Sequence, residues 1–165
     1  MSKLLVRHGL SKANDRNNVG ALAFGRPDAG LMELGRTNAR DLNGIFRTNF
    51  GFIPEETPVA TSDLLRTKET AREAGFLNLA HYACLNEVIH GMELPELRHM
   101  LRIERKVPTA ASRQAERILT NPPTESIWFT HGLVIIGLCN VLGIEREHTT
   151  RFVPEFCEIV ELPID

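Results

Sequence analysis

Two short apolar runs, Lys3-Leu4-Leu5-Val6 and Ser126-Ile127-Trp128-Phe129, are each followed, one residue on, by a His-Gly pair. Runs this short and this apolar read as buried strands. Each therefore delivers an imidazole, His8 or His131, to the point where a strand gives way to a loop. In open α/β sheets ligands bind outside the carboxyl ends of the strands. At the first of these ends the chain also offers Arg7 and Asn14, with Gly9 expected to allow a sharp turn. A guanidinium fork, an imidazole, a side-chain amide and backbone N–H groups freed by a turn together suit an oxyanion.

The remainder of the chain alternates strand-like and helix-like segments. Glu33 to Phe50 carries Leu34, Leu42, Ile45 and Phe46 at helical intervals. Pro58 to Thr61 reads as a strand, and Ser62 or Asp63 is expected to cap the helix after it. Phe76 to Ala83 fits strand and helix equally. Pro95 to Leu119 reads as two helices parted by Pro108, and Asn121-Pro122-Pro123 breaks the chain before the strand at Ile127. Leu133 to Leu142 is apolar nearly all round, as a buried helix is, with Gly143 suited to its end. Cys157 to Leu162 reads as a last strand. This order predicts an α/β fold, and 165 residues without repeats or low-complexity tracts predict one domain over 1–165.

Three later segments add chemistry to the first. In Ala60 to Ala71, Arg66 falls in the first turn of the predicted helix, where the dipole already favours an anion. Its ordinary alternative is a solvated arginine paired with Glu69 or Asp63. Leu85 to Gly91 brings a carboxylate, Glu87, after a short apolar stretch. The strand at Ile127 ends in His131-Gly132.

Together these motifs resemble the histidine phosphatase superfamily, which includes the cofactor-dependent phosphoglycerate mutases. The resemblance rests on Arg7, His8, Gly9, Ser11 and Asn14; on Ser62, Leu64, Arg66, Thr70 and Ala71; on Leu85, Glu87 and Gly91; and on His131-Gly132. Gly25-x-x-Asp28-x-x-Leu31-x-x-x-Gly35 resembles the stretch that follows the first motif. The matches keep the family's order from residue 4 to residue 132. They imply a three-layer α/β/α sandwich with a mostly parallel central sheet, phosphoglycerate mutase-like. They imply His8 as a nucleophile forming a phosphohistidine, Arg7, Arg66, Asn14 and His131 as phosphoryl ligands with Gly25 and Gly132 in the same pocket, and Glu87 as proton donor. Glu93 and Glu96 stand close enough in sequence to compete for that last role. The family often has an acidic residue where this chain has Leu10, and another where it has Leu94. The rim of the pocket is therefore expected to differ from that of well-known members.

Family mutases generally carry a longer insertion between the Glu and second-His motifs, so the resemblance implies hydrolysis, with water as acceptor. The expected substrate is a phosphorylated small molecule or a phosphohistidine protein. A mutase-type phosphotransferase and a silent phosphate-binding module are the alternatives. No cofactor or metal is expected: zinc spacing such as His-Glu-x-x-His is absent, and two arginines would repel a divalent cation. A cysteine phosphatase needs Cys-x-x-x-x-x-Arg, but His90, Glu145 and Pro163 stand six residues after the three cysteines. Cys139 and Cys157 read as small core residues. A formal net charge of −2 gives no pull toward nucleic acid or anionic membrane, and neither a signal peptide nor a membrane span is seen, so the cytoplasm is expected. His81, His90, His99 and His148 lie outside the motifs and read as surface or structural. Arg98, Arg102 and Arg105 recur at i, i+4 and i+7. They form a solvated basic face or a secondary anion site beside the pocket.

Overall fold

The protein is represented by a computed structural model that describes residues 2–14, 29–146 and 152–165. Five strands form one sheet in the order β3-β2-β4-β1-β5. They are β1 (Lys3–Arg7), β2 (Val59–Thr61), β3 (Leu79–His81), β4 (Ile127–Thr130) and β5 (Ile159–Leu162). β1, β2, β3 and β4 run parallel, and only β5 is antiparallel, along the outer side of β1. The helices are α1 (Glu33–Asn49), α2 (Leu65–Glu73), α3 (Leu94–His99), α4 (Thr109–Thr120) and α5 (Gly132–Val141).

Side chains alternate along each strand, and here both faces are covered. Leu5, Ala60 and Trp128 pack with residues of α4 and α5, whereas Leu4, Val6, Ile127 and Phe129 pack with α1 and α2. The result is the expected three-layer sandwich with a mostly parallel sheet. It also explains why β1 and β4 appear in the sequence as unbroken apolar runs.

Four local expectations need correction. Gly9 is not among the glycines with positive φ; its value lies in close approach. A Cβ on it would come within 2.8 Å of Gly35 O, and one on Gly35 within 2.1 Å of Leu10 O, so α1 is seated directly on the loop after β1. The buried stripe of α1 runs through Gly35, Ala39, Leu42 and Phe46, which leaves Leu34 59% exposed and Ile45 at the margin. The helix α2 has no side-chain cap: Leu64 holds the capping position, and the Ser62 hydroxyl is used elsewhere. Cys139 is buried as expected, but Cys157 is only half-buried.

The ambiguous stretch after Phe76 contains β3, an edge strand of three residues. Pro95 to Leu119 holds two helices as expected, with α3 running into a π-helical turn over Met100–Glu104 before the break ahead of α4. Gly143 ends α5 with φ 68°, and Ile144 N donates to Cys139 O at 2.8 Å. Among the described residues, no helix is long and apolar enough to cross a membrane.

Candidate functional site

Strand register brings the two His-Gly pairs together. Arg7 pairs with Thr130 in the parallel ladder between β1 and β4, so His8 and His131 leave the sheet side by side. Their ring centroids are 5.1 Å apart. On the other flank of β4, Thr61 pairs with Phe129, which puts Ser62 and the first turn of α2 beside them. The helices that follow β1 and β4 pack on opposite faces of the sheet, and this divergence opens a crevice at the strand ends. His131 holds the capping position of α5, so the positive end of that helix dipole also points here.

The proton on His8 can be placed from its neighbours. Nδ1 lies 2.7 Å from Gly9 O, and a carbonyl only accepts, so Nδ1 carries the hydrogen and Nε2 keeps its lone pair. Gly9 is itself held, with its N–H donating to Thr70 Oγ1 at 2.9 Å. Burial, then the charges of Arg66 and Arg7, push the His8 imidazole well below the ordinary histidine range, against an opposing effect of the Gly9 carbonyl. The ring stays neutral at neutral pH.

A hydroxyl chain does the same for His131. Thr67 Oγ1 donates to Leu64 O at 2.8 Å, so in its 2.8 Å contact with Ser62 the donor is Ser62. Ser62 Oγ then accepts from Leu64 N–H at 3.2 Å and from His131 Nε2 at 3.0 Å. The imidazole hydrogen therefore sits on Nε2. Nδ1 is buried without a hydrogen bond, 3.5 Å from Glu87 Oε2. Burial, His8 and the two arginines push this ring well below the histidine range as well.

Glu87 Oε1 accepts from Val88 N–H at 3.1 Å, while Oε2 lies 3.9 Å from the Arg66 guanidinium. Burial raises the carboxyl above its usual range, against the pull of Arg66. The segment carrying Glu87 is pinned from two sides. Thr130 Oγ1 donates to Leu85 O at 2.8 Å, and Gln114 Nε2 donates to Cys84 O at 3.0 Å and Asn86 O at 2.7 Å.

Above this cluster lies a cavity of about 920 Å³ whose wall includes Arg7, Asn14, Glu87 and Gly132. His8, Arg66 and His131 do not line it and are buried, at 1%, 1% and 0% exposure. Arg7 Nη1 donates to Pro154 O at 2.5 Å, and its guanidinium lies 4.0 Å from the Phe156 ring centroid. Gly132 leaves room for it, since a Cβ there would stand 3.3 Å from Arg7 Nε and 2.6 Å from Val153 Cγ1. Asn14 Oδ1 accepts from Ser11 Oγ at 2.7 Å, so the end of Asn14 able to donate to a ligand is its amide nitrogen.

His8, Glu87 and His131 each bring one possible metal-ligand atom within 4.8 Å of the others. The same space holds two guanidinium charges against one carboxyl, whose pKa burial raises. Such a field attracts an anion and repels a divalent cation, so the donor set does not fit a resident metal.

The structure thus brings Arg7, His8, Asn14, Arg66, Glu87, His131 and Gly132 together, and Arg66 faces Glu87 while Glu69 pairs with Arg36. Gly25 and His148 lie outside the described residues. Glu93 and Glu96 are exposed and do not line the cavity, whereas Glu87 does. His90, set aside as surface or structural, stands in the cavity wall with Nδ1 accepting from Met92 N–H at 3.1 Å. Phe156 packs 5.9 Å from His8, ring to ring, and no spacing rule points to a loop aromatic so far along the chain.

A profile of the histidine phosphatase superfamily, branch 1, matches residues 4–105. No curated protein matches the sequence significantly. In fold, the chain is similar to the crystal structure of phosphoglycerate mutase from Thermus thermophilus. The TM-score is 0.69 at 24% identity, over 99% of this chain and 93% of the other. It is also similar to phosphoserine phosphatase from Entamoeba histolytica, solved with 3-phosphoglyceric acid. There the TM-score is 0.65 at 18% identity, over 97% and 89% of the two chains. The fold is phosphoglycerate mutase-like, and the chain belongs to the histidine phosphatase superfamily.

Proposed function

We propose that this chain is a phosphatase that hydrolyses phosphate monoesters or phosphohistidine without a metal, through a phosphohistidine on His8. The observation that carries this reading is the protonation of His8: Nδ1–H is committed to Gly9 O, so Nε2 is an unprotonated nucleophile beside two arginines. Phosphoryl transfer is mostly positioning and charge stabilisation, and Arg7 and Arg66 supply the positive charge.

In the first step Nε2 attacks phosphorus and the ester P–O bond breaks, its electron pair passing to the leaving oxygen. Protonated Glu87 gives that oxygen its proton, and the alcohol departs. In the second step water attacks phosphorus while the Glu87 carboxylate takes the proton. The P–N bond then breaks, its pair returns to Nε2, and phosphate is released. The raised carboxyl of Glu87 suits the first step, and its position at the cavity wall gives it access to solvent for the second. His8 itself is buried, while Arg7 and Glu87 line the cavity.

The test is turnover of p-nitrophenyl phosphate with a chelator present. The native protein is expected to release nitrophenol, and His8→Asn, folded by circular dichroism, is expected to release none. Equal turnover by both proteins overturns the nucleophile assignment. No turnover by either leaves the silent binding module as the better reading. Adding glycerol as a competing acceptor separates hydrolysis from transfer: a mutase-type enzyme returns phosphoglycerol, a phosphatase returns phosphate.

A further inference from the structure

Glu87 stands between the turn at Ala83–Leu85 and α3, in a stretch with no helix or strand of its own. No backbone ladder fixes such a stretch, so other hydrogen bonds must. Asn86, the residue before Glu87, supplies them with every polar group it has. Its backbone N–H donates to Ala83 O at 3.1 Å, and its carbonyl accepts from Gln114 Nε2 at 2.7 Å. Its side chain closes a two-bond ring with Asp63: Oδ1 accepts from the Asp63 backbone N–H at 2.8 Å, and Nδ2 donates to Asp63 Oδ2 at 3.1 Å. Asp63 does not cap α2, where Leu64 holds the capping position without a side-chain cap. Its neighbour Ser62 orients His131, and Arg66 follows in the first turn of α2. The ring thus joins the segment of the acid to the segment that carries Ser62 and Arg66. Asp63 is exposed and Asn86 half-buried, so these two bonds add little to stability and the fold stands without them.

We propose that Asn86 and Asp63 are positioning residues: their ring holds Glu87 in place against Arg66, so that its proton meets the leaving oxygen. This rests on the reading of Glu87 as the proton donor. Glu87 Oε2 lies 3.9 Å from the Arg66 guanidinium and 3.5 Å from His131 Nδ1, the first on α2 and the second at the start of α5. An acid that serves a leaving group held by both must keep its place relative to both, and a shift of about 1 Å is costly. Thr130 and Gln114 tie its segment to β4 and α4; on the α2 side the ring holds the residue adjoining it. Freed at Asn86, the carboxyl keeps its chemistry and loses its alignment with Arg66.

The test compares kcat/KM on glycerol 2-phosphate, whose leaving oxygen needs a proton, with kcat/KM on p-nitrophenyl phosphate, whose leaving oxygen does not. The ratio follows proton donation and not the amount of folded protein. In Asn86→Ala the first value is expected to fall roughly tenfold and the second about twofold or less. Asn86→Asp, which sets two carboxylates face to face, should fall at least as far. In Asp63→Asn/Asn86→Asp the new carboxylate accepts from the backbone N–H and the new amide at position 63, so the ring re-forms and most of the loss should be recovered. In Glu87→Gln, adding Asn86→Ala should cost about twofold or less again, because no acid is left to place. Equal losses on the two esters, no recovery in the exchanged pair, or a further tenfold loss without the acid overturns the proposal. If the native protein hydrolyses neither ester, the proposed function fails and carbon-13 NMR titration of the Glu87 carboxyl decides the positioning by itself. A midpoint that moves toward the ordinary carboxylate value in Asn86→Ala and returns in the exchanged pair supports it; one that Asn86→Ala leaves in place overturns it.

Discussion

At its inner end the cavity rests on a sheet: His8 and His131 follow strands in register, and the proton on each ring is dictated by a carbonyl or a hydroxyl chain. Elsewhere in its wall, Arg98 and Arg102 stand on a short helix and a π-helical turn, exposed, with no acid beside them among the described residues. The two imidazoles are buried and their ionisation is perturbed, whereas the two arginines are exposed. The contrast teaches that the buried cluster is positioned by strand pairing, whereas the exposed arginines stand on segments that the sheet hardly constrains. Changes in the two regions should therefore have different signatures.

The largest effect should come from the proposed nucleophile. His8→Asn is expected to lower kcat by roughly a thousandfold or more, read by phosphate release from any ester. Next is Glu87→Gln, expected to cost about 100-fold in kcat on alkyl phosphates, whose leaving oxygen needs a proton, and much less on p-nitrophenyl phosphate. The pH profile should change with it. His8 is pushed below the histidine range, so attack fails only in acid; Glu87 is pushed above the carboxylate range, so its proton is lost as pH rises. The native optimum should thus lie on the acid side of neutrality, and Glu87→Gln should lose the alkaline limb.

A smaller effect is expected from the hydroxyl chain. Thr67→Val removes the acceptor for the Ser62 proton, which is then free to donate to His131 Nε2 and move the imidazole hydrogen to Nδ1. A change of about tenfold in kcat/KM, with a displaced pH profile, is expected, and Thr67→Ser should restore both. If Thr67→Val changes stability but not the profile, the chain is only structural.

The smallest signal is in stability. Two buried imidazoles with lowered pKa bind fewer protons folded than unfolded below about pH 6.5, so stability should fall as pH drops through that range. Glu87 acts oppositely, because its raised pKa favours the folded state as pH falls. Two groups against one leave a net loss of stability toward acid pH, measurable as a urea midpoint, and His131→Asn should reduce the slope.

The same contrast governs what could be read from the chain itself. β1 and β4 were legible because burial on both faces makes them apolar throughout, and Arg7, His8, Arg66, Glu87 and His131 were legible because they stand in ordered motifs. Strand register was not, since nothing local says that Arg7 pairs with Thr130. The buried stripe of α1 departs from its apolar period because Gly35 and Ala39 carry the contact, and small residues add nothing to that period. The spacing of Ser62 suits a cap, but its hydroxyl is used by a partner 69 residues away, which nothing local reveals. His90, Pro154 and Phe156 reach the cavity from loops, where periodicity has no hold. The arginine stripe was visible as a spacing, but only the fold says that it borders the cavity.

The central claim is that phosphorus becomes bonded to one identified nitrogen. Protein labelled with nitrogen-15 in histidine, phosphorylated by a substrate and denatured in alkali, can be read by correlated phosphorus–nitrogen NMR. The account predicts one phosphohistidine, on Nε2 of His8, absent from His8→Asn. Phosphorus on Nδ1 or on any other residue, or no phosphoenzyme from a protein that turns substrate over, would contradict it.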